Sequence, residues 1–435
     1  MNYKPQVLIL LYIITTLSYI FTRGFYSLSS VILTLVSFLA LLVYYFKPKH
    51  IGILKTETDS LLAISLVISI FLSLALYGGL YQSHGLLFKT SQYLLALSCI
   101  LALSYFINTK TQLITKYRFP TLFCIAILLQ VFMLISSPHP KIDVFDQLKY
   151  GSENIIKGQN PYSQTFPQIY NYPQNYFPYL PMTAIVVLPF NLLLGDPRFA
   201  LVAAYIVGAF VLKKIIGKKN VIASELIPLI YLFHPQSTFM TEQAWIDPLF
   251  FTFFLLFIYY LRDKKNMIFS GLSLGFGIAL KQTFPLILIF LFACKAIPKK
   301  VLLIAIGVFV ISILPFFLWN PNDFLNDVFK IHIERRLWWH NSLTLNSFFF
   351  SEFKKNINQL FFLAVWAGLL VGILKKGIAN FTTLTLAISL WFFAFYLFNY
   401  QAYIHYYHLI SSLILLSIAS EINKTHQSAY IIKKA

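Results

Sequence analysis

Long apolar runs separated by short polar connections make up most of this sequence. They fall at 7–22, 28–46, 60–80, 90–107, 119–137, 198–216, 220–237, 246–262, 267–281, 283–297, 300–319, 357–374, 378–398 and 402–420. A helix of about 20 apolar residues crosses a bilayer with every backbone polar group satisfied. Only 11% of the residues are charged, against about 25% in soluble domains. The pattern predicts an all-α polytopic membrane protein of about 12–14 transmembrane helices, forming one domain over residues 1–435.

The basic residues predict how the chain is oriented in the membrane. The formal net charge is +19, but Lys and Arg occur in short clusters between apolar runs. This placement follows the positive-inside rule and argues against a nucleic-acid partner. If the apolar segment 180–194 lies along the membrane surface, both termini and every later basic cluster face the cytoplasm. Those clusters are 213–219, 262–265, 295–300, 375–376 and 433–434.

Two long loops then face the extracytoplasmic side: a first loop, 138–197, with interfacial helices, and a second loop, 320–356. The N-terminal spans (1–137), the central spans (198–319) and the C-terminal spans with a short cytoplasmic tail (357–435) flank them. Residues 267–293 form either two short spans or one long kinked helix, because their Gly and Pro residues permit a break.

The first loop concentrates polar chemistry. It holds Asp143, Asp146 and Glu153, although the whole chain has only 15 acidic residues. A carboxylate in a partly apolar setting gains basicity and can take a proton from a hydroxyl that attacks a sugar carbon. Asp143 is the candidate for that base and Asp146 is a second acid; a solvated loop acid is the plainer alternative.

The same loop offers side chains suited to a sugar. A short helix is predicted over 146–156, followed by a Gly-containing turn and a Tyr/Pro-rich segment, although such segments also occur in inert interfacial loops. Amide, hydroxyl and aromatic groups there can bind and stack against a sugar ring. The candidate substrate-binding residues in this loop are Gln147, Gln159, Asn160, Tyr162 and Tyr176.

A second group of candidates lies at the outer end of a span, at Glu242, Gln243, Trp245 and Asp247. Acids at membrane depth are costly and are functional candidates by default. Asp247 directly precedes Pro248, so a helix-capping role is an equal alternative. Together with the loop residues, these side chains are predicted to position sugars.

Cations near the two loops are candidates for binding a phosphate. Lys281 stands among apolar residues and needs a counter-charge, unless it extends to the membrane interface. Arg335 and Arg336 in the second loop present planar forks suited to phosphate; anchoring to anionic lipid is the alternative.

The histidines are predicted to line a cavity. They are His332, His340, His405 and His408. His405 and His408 without a matched carboxylate make a weak metal signal, and the three cysteines all lie inside apolar runs. We therefore expect no metal and no other cofactor.

The order of these segments resembles the GT-C superfamily of polyprenyl-phosphate-sugar-dependent glycosyltransferases. The nearest branch is that of bacterial mannosyltransferase-like integral membrane proteins. The resemblance is carried by IDVF at 142–145 and GQNPY at 158–162, and more loosely by 242–247 and 277–281. It covers the topology of nearly the whole chain but the motifs of about a fifth of it.

The resemblance implies a GT-C-like bundle and an inverting transfer of a hexose, mannose-like, or a pentose. The donor would be a polyprenyl-phosphate sugar, and the acceptor a glycan, glycolipid or protein on the extracytoplasmic face of the cell membrane. The loop base maps onto Asp143. The family often has two adjacent acids in this loop. Here two residues separate Asp143 from Asp146, which leaves the role of Asp146 open. Lys281, Arg335 and Arg336 would hold the leaving phosphate.

Two other functions remain open from the sequence. A lipid-linked glycan flippase or exporter predicts ionisable residues along mid-span faces, and Glu225 is the one acid well inside a run. A non-catalytic envelope assembly protein predicts no cost when Asp143 is changed.

Overall fold

The computed structural model describes residues 3–48, 56–106, 112–169, 172–217, 220–334 and 340–432. The helices of the first half of the chain are α1 (Pro5–Ile20), α2 (Leu28–Phe46), α3 (Thr58–Ala75), α4 (Leu86–Leu103), α5 (Gln112–Ser136), α6 (Asp143–Ile156), α7 (Pro181–Leu194), α8 (Phe199–Ile216), α9 (Val221–Leu232) and α10 (Ser237–Glu242). Those of the second half are α11 (Asp247–Arg262), α12 (Met267–Ile278), α13 (Leu288–Ala293), α14 (Lys299–Trp319), α15 (Pro321–Leu325), α16 (Ile331–Glu334), α17 (Leu345–Phe353), α18 (Gln359–Lys376), α19 (Phe381–Leu397) and α20 (Ile404–Ile432).

The predicted class, a polytopic helical membrane protein, is confirmed. Within the described ranges, 7 helices are long and apolar enough to cross a membrane, and further apolar helices are shorter. The seven are α2, α3, α4, α5, α8, α14 and α18. The total of 12–14 spans and their orientation stay predictions.

Several helix ends follow from local chemistry. α8 and α18 each carry a pair of lysines in the last turn and are followed by glycines with positive φ, Gly217 (φ 78) and Gly377 (φ 80). Cations near the last carbonyl groups interact favourably with the helix dipole, and glycine adopts the left-handed conformation without strain. α19 begins with a capping box between Asn380 and Thr383.

Helix α20 lies at the centre of the bundle. It packs against α1, α8, α9, α11 and α19, and its residues 407–422 are buried throughout. Helix α14 shows the opposite pattern, because Leu303, Ile311 and Leu318 are each about two-thirds exposed or more, at 68%, 73% and 66%. An apolar surface of this kind is suited to lipid.

The segment 267–293 is interrupted, as its glycines and proline allow. α12 ends at Ile278, and the chain resumes as a 3-10 turn, Phe284–Ile287, that leads into α13. Residues 279–283, which we call the break, include Lys281. A continuous kinked helix over the whole segment is therefore not formed.

The first loop contains more regular structure than predicted. Its helix α6 begins at Asp143 rather than at 146, since two carboxylates in its first turn favour a helix N-terminus. Strands β1 (Phe166–Ile169) and β2 (Tyr172–Gln174) then form a short antiparallel hairpin within the helical architecture. Both strands are edges, which tolerate Pro167 and Pro173. The predicted interfacial helix is α7.

Candidate functional site

Asp143 is the first residue of α6 and is half-buried. Its Oδ1 accepts a hydrogen bond from the Val144 backbone N–H at 2.9 Å, and its Oδ2 accepts one from the Tyr176 hydroxyl at 3.3 Å. The structure therefore brings together two of the predicted site residues from separate parts of the first loop. A half-buried carboxylate can exchange a proton with a bound hydroxyl.

Asp146 lies one helical turn further along α6. Burial raises the pKa of its carboxyl to about 6, with the Lys149 cation acting against this and the Asp143 charge adding to it. Near neutral pH this acid holds its proton in an appreciable fraction of molecules. It stays a candidate second acid beside Asp143.

The segment 176–183 connects the loop acid to the break. The Leu280 carbonyl, left without a helical partner where α12 ends, accepts hydrogen bonds from the Leu180 N–H at 3.2 Å and from the Thr183 hydroxyl. Tyr179 lies within this segment. Its pKa is raised well above the ordinary value, first by burial and next by the negative charge of Asp143. The loop is thus docked on the backbone beside Lys281.

Lys281 is buried, 7% exposed, and its ammonium group lies 4.3 Å from the centre of the Tyr406 ring. The charges of Lys281 and Asp247 are close enough to interact, although the two do not form a direct ion pair. A cation–π contact and an opposite charge nearby keep an ammonium group stable away from water. The alternative, that the side chain extends to the membrane interface, does not fit this degree of burial.

Asp247 begins α11 and is 1% exposed. Apart from a contact with its own backbone N–H, neither of its carboxylate oxygens has a hydrogen-bond partner. The hydroxyl groups of Thr283 and Tyr396 lie close to each other and near this carboxylate, without forming a hydrogen bond of normal geometry, and His405 Nδ1, near Lys281, has no partner either. We call Asp247, Lys281, Thr283, Tyr396 and His405 the inner polar cluster. Buried polar atoms are nearly always satisfied, so such a concentration indicates an occupant.

Aromatic rings enclose the inner polar cluster. Tyr406 lies against Tyr396 at 4.2 Å and against His405 at 3.9 Å, and His405 lies against the half-buried Trp245 at 4.7 Å between ring centres. Trp245, one of the predicted substrate-binding residues, therefore borders the cluster, and so does Tyr406, which was not predicted. The neighbouring Gln282 also has a buried carbonyl oxygen without a partner.

The carboxylate of Glu242 is bound by groups of the protein itself. Its carboxylate accepts hydrogen bonds from the Leu80 N–H at 2.7 Å, from the Tyr81 N–H at 2.9 Å and from the Gln243 side chain at 2.8 Å. It is fully buried, so α10 is fastened to the turn between α3 and α4. With these oxygens occupied, the predicted role of Glu242 and Gln243 in binding sugar has no support from their geometry.

Asn160 and Tyr162 also have partners within the loop. The Asn160 side chain accepts from the Tyr162 N–H at 3.2 Å, and the Tyr162 hydroxyl donates to the Tyr179 carbonyl at 2.8 Å. The Tyr162 ring packs between Phe177 and Phe324. Both residues hold the loop together.

The remaining glutamines of the first loop differ in exposure. Gln147 is buried, and its amide donates to the Tyr176 carbonyl at 3.5 Å, next to the Asp143 contact. Gln159 is exposed. Of the two, Gln147 supports the position of Tyr176.

Arg198 anchors the first loop and was not predicted. It is fully buried, and its guanidinium group binds the Asp196 carboxylate at 2.6 Å and the Ser137 carbonyl at 2.8 Å. It also donates to the Glu242 carbonyl at 3.4 Å and lies over the Phe145 ring. The only sequence signal is a charged pair immediately before an apolar run.

Two acids of the second loop were also missed. The Asp327 carboxylate accepts the Phe177 N–H at 2.7 Å, and the Asp323 carboxylate accepts the Ser163 hydroxyl at 2.5 Å. Burial raises the pKa of Asp327 to about 7, opposed by its bonds to Phe177 and Asn326. These contacts attach the second loop to the first loop at two points, one of them next to Tyr176.

The predicted histidines are dispersed. His332 is exposed, His340 stacks on Phe350, and His408 lies in the bundle interior 4.4 Å from the His234 ring. Only His405 belongs to the inner polar cluster. Among the residues that the structure describes, no group of three His, Cys, Asp or Glu side chains is arranged to hold a metal ion.

Arg335 and Arg336, the predicted phosphate ligands, lie outside the described residues. Of the three predicted phosphate ligands, Lys281 is the one that lies within the described residues.

Comparisons with models of protein families, with curated proteins and with solved structures found no match to this chain. A loop carboxylate, a docked segment and a buried polar cluster form one continuous region, suited to a proton acceptor at one end and a polar ligand at the other.

Proposed function

We propose that this chain is an integral membrane glycosyltransferase of the GT-C type. It would transfer a hexose or a pentose from a polyprenyl-phosphate donor to a glycan, glycolipid or protein acceptor on the extracytoplasmic face. The proposal rests on one observation. Tyr176 binds Asp143, and the segment that follows Tyr176 is hydrogen-bonded, through Leu180 and Thr183, to the break that contains Lys281. A base and a buried cation thereby lie at the two ends of one segment.

The proposed reaction is a single displacement at the anomeric carbon. Asp143 takes the proton of the acceptor hydroxyl as its oxygen forms the new bond to carbon, and the bond from carbon to the phosphate oxygen breaks. The electron pair leaves with the lipid phosphate, and the configuration inverts. Preorganised cations stabilise the charge that develops on that phosphate. Arg335 and Arg336 are candidates for this role, and Lys281 would lie at the sugar-phosphate end of the donor.

The rival transport function has weaker support. The Glu225 carboxylate, the acid that the sequence placed well inside a span, accepts from Arg118 at 3.2 Å and from the Tyr105 hydroxyl at 3.0 Å. A paired acid of this kind stabilises the contact between helices. It does not offer an open carboxylate to a translocated ligand.

The activity is tested with Asp143→Asn. Membranes containing the full-length protein are supplied with a panel of radiolabelled polyprenyl-phosphate sugars, and transfer to lipid or glycan is measured. Loss of a general base reduces the rate by about 10²–10⁴-fold, so we expect a loss of that order. Glu153→Gln is the matched control, since Glu153 is an acid of the same helix that pairs only with the exposed Lys157, at 3.7 Å. Normal transfer by the Asp143 variant would remove it as the base.

The proposed orientation is tested with single cysteines in a background that lacks the three native ones. Gln159, Lys355 and Lys264 are exposed positions, in the first loop, in the second loop and between α11 and α12. An impermeant thiol reagent added to intact cells should label cysteines at the first two positions and not at Lys264. The reverse labelling pattern would place the loops in the cytoplasm.

A further inference from the structure

The inner polar cluster contains a carboxylate whose oxygens can only accept hydrogen bonds. Asp247 contributes these two oxygens without a partner from another residue, the Thr283 and Tyr396 hydroxyl groups face each other without a hydrogen bond of normal geometry, and the Nδ1 atom of His405 is unsatisfied. Lys281 contributes the one formal positive charge of the cluster. A ligand that satisfies the carboxylate must bring hydrogen-bond donors, and hydroxyl groups can both donate to it and accept from the Thr283 and Tyr396 hydroxyl groups.

The charges of the cluster favour a neutral ligand. Lys281 and Asp247 interact with each other, so their charges cancel to a large extent. A phosphate would add a negative charge beside a buried carboxylate, and burying an unpaired charge is costly. A neutral polyol instead satisfies the carboxylate with hydroxyl donors and adds no net charge.

The rings around the cluster fit the same kind of ligand. Trp245, His405 and Tyr406 form a continuous series of packed rings beside the unsatisfied oxygens. Amphipathic rings next to hydrogen-bonding groups suit a molecule with both C–H and O–H faces.

We propose that the inner polar cluster is a subsite for the neutral sugar ring. It recognises the sugar through hydroxyl groups that donate hydrogen bonds to Asp247 and Thr283. The proposal rests on the proposed function, because it takes the ligand to be the transferred sugar. It assigns Lys281 to the sugar rather than to the phosphate. The atoms are closed off from solvent, so binding requires a neighbouring segment to move; the segment 176–183, held on Leu280 by two hydrogen bonds, is adjacent.

The test uses purified full-length protein and four probes: the methyl glycosides of a hexose and of a pentose, inorganic phosphate and geranyl phosphate. Binding is followed by saturation-transfer NMR. We expect at least one glycoside to bind the wild type, without competition from inorganic phosphate. Asp247→Asn and Thr283→Val should each weaken that binding by about tenfold or more, since a site built for hydroxyl groups loses affinity when an acceptor is removed. Glu153→Gln should bind as the wild type does.

Several results would overturn the proposal. They are the absence of glycoside binding to the wild type, equal binding by both cluster variants, and displacement of the glycoside by inorganic phosphate. Equal binding would mean that ordered water alone occupies the cluster. Because Thr283→Val removes one oxygen at nearly constant volume, it keeps the test valid if Asp247→Asn does not fold.

The same experiment separates this inference from the proposed function. Asp143→Asn should keep glycoside binding while losing transfer. If no lipid donor supports transfer but the cluster variants lose glycoside binding, the glycosyltransferase proposal fails and the sugar subsite stands. If transfer depends on Asp143 but glycosides bind all cluster variants equally, the subsite fails and the enzyme proposal stands.

Discussion

Asp143 and Asp247 each begin a helix, α6 and α11, yet their surroundings differ. Asp143 is half-buried and accepts hydrogen bonds from Val144 and Tyr176, whereas Asp247 is fully buried with both oxygens unsatisfied. A carboxylate at the edge of a loop can exchange its proton with water or a bound hydroxyl. One that is closed inside a bundle can only be satisfied by a ligand or a trapped water molecule. The difference separates a candidate for proton transfer from a candidate for recognition.

The two regions differ also in the part that charged contacts play in holding them. The inner polar cluster lies within helices that pack around α20 through apolar side chains. The first loop likewise buries apolar side chains, such as Phe145 and Phe177, but charged side chains fasten it in addition, chiefly Arg198 at its base and Asp327 from the second loop. Removal of a single charged contact should therefore weaken the attachment of the loop measurably.

The largest effect on stability is expected from Arg198→Met. Removing one partner of a buried ion pair costs about 3–5 kcal/mol, because the other charge is left uncompensated. Arg198 also donates to the Ser137 and Glu242 carbonyl groups, so the base of the loop loses these attachments as well. The free energy of unfolding in detergent should fall by that amount. Lys157→Met, which removes an exposed pair in the same loop, should cost at most about 1 kcal/mol.

A small effect of Arg198→Met, equal to that of Lys157→Met, would contradict the comparison. It would mean that the loop is held by packing in the same way as the bundle.

The next effect concerns pH and the contact between the two loops. Asp327 has a pKa of about 7 in the folded protein, above its ordinary 3.8. Burial makes the folded state bind this proton more tightly, although the Phe177 hydrogen bond itself favours the carboxylate. The docked state of the second loop, which buries Asp327, is therefore most stable below the ordinary pKa and loses stability as pH rises toward 7. The rate of Phe177 amide exchange, corrected for its intrinsic pH dependence, should increase by up to about tenfold per pH unit over that range.

Asp327→Asn is the control for this pH dependence. Its side-chain oxygen can still accept the Phe177 N–H but does not titrate, so the corrected exchange should be flat with pH. Protection that is constant or rises with pH in the wild type would show that Asp327 does not govern the contact. Amides within α20 should show no such dependence in either protein, because apolar packing holds that helix.

The sequence predicted the helices well because their signal is local. The run 28–46 coincides with α2, and 198–216 differs from α8 by one residue at its start. Long apolar runs can satisfy their backbone only as helices, so few alternatives exist. The hairpin of β1 and β2 was missed, because its Tyr/Pro-rich sequence is equally typical of an irregular loop.

The candidate site was predicted only in part. Asp143, Asp247 and Lys281 stood out because a charge in an apolar setting is rare. Arg198 and Asp327 carried no comparable signal, since the partners that give them a role, such as Phe177, lie far along the chain. Glu242 shows the converse: its rarity marked it as a site residue, and no sequence signal indicated that its carboxylate accepts hydrogen bonds from the backbone of a distant turn.

The smallest effect on stability is expected at Gly79. It tests whether a single polar contact, that of the Glu242 carboxylate, contributes to stability inside the bundle as well. Gly79 leaves the space that the Glu242 carboxylate occupies, and a Cβ there would lie 1.8 Å from Glu242 Oε1. Gly79→Ala must displace the carboxylate from the Leu80 and Tyr81 N–H groups, at a cost of about 1–3 kcal/mol. Gly368→Ala in α18, where a Cβ meets nothing within 4 Å, should be neutral or stabilise by up to about 1 kcal/mol. Thermal unfolding of both variants in detergent measures the difference.

Equal stabilities would mean that the turn shifts freely and that Glu242 is not fixed there. Glu242 would then again be a residue open to a ligand. A clear difference would show that the interior, like the first loop, contains at least one contact that depends on a single carboxylate.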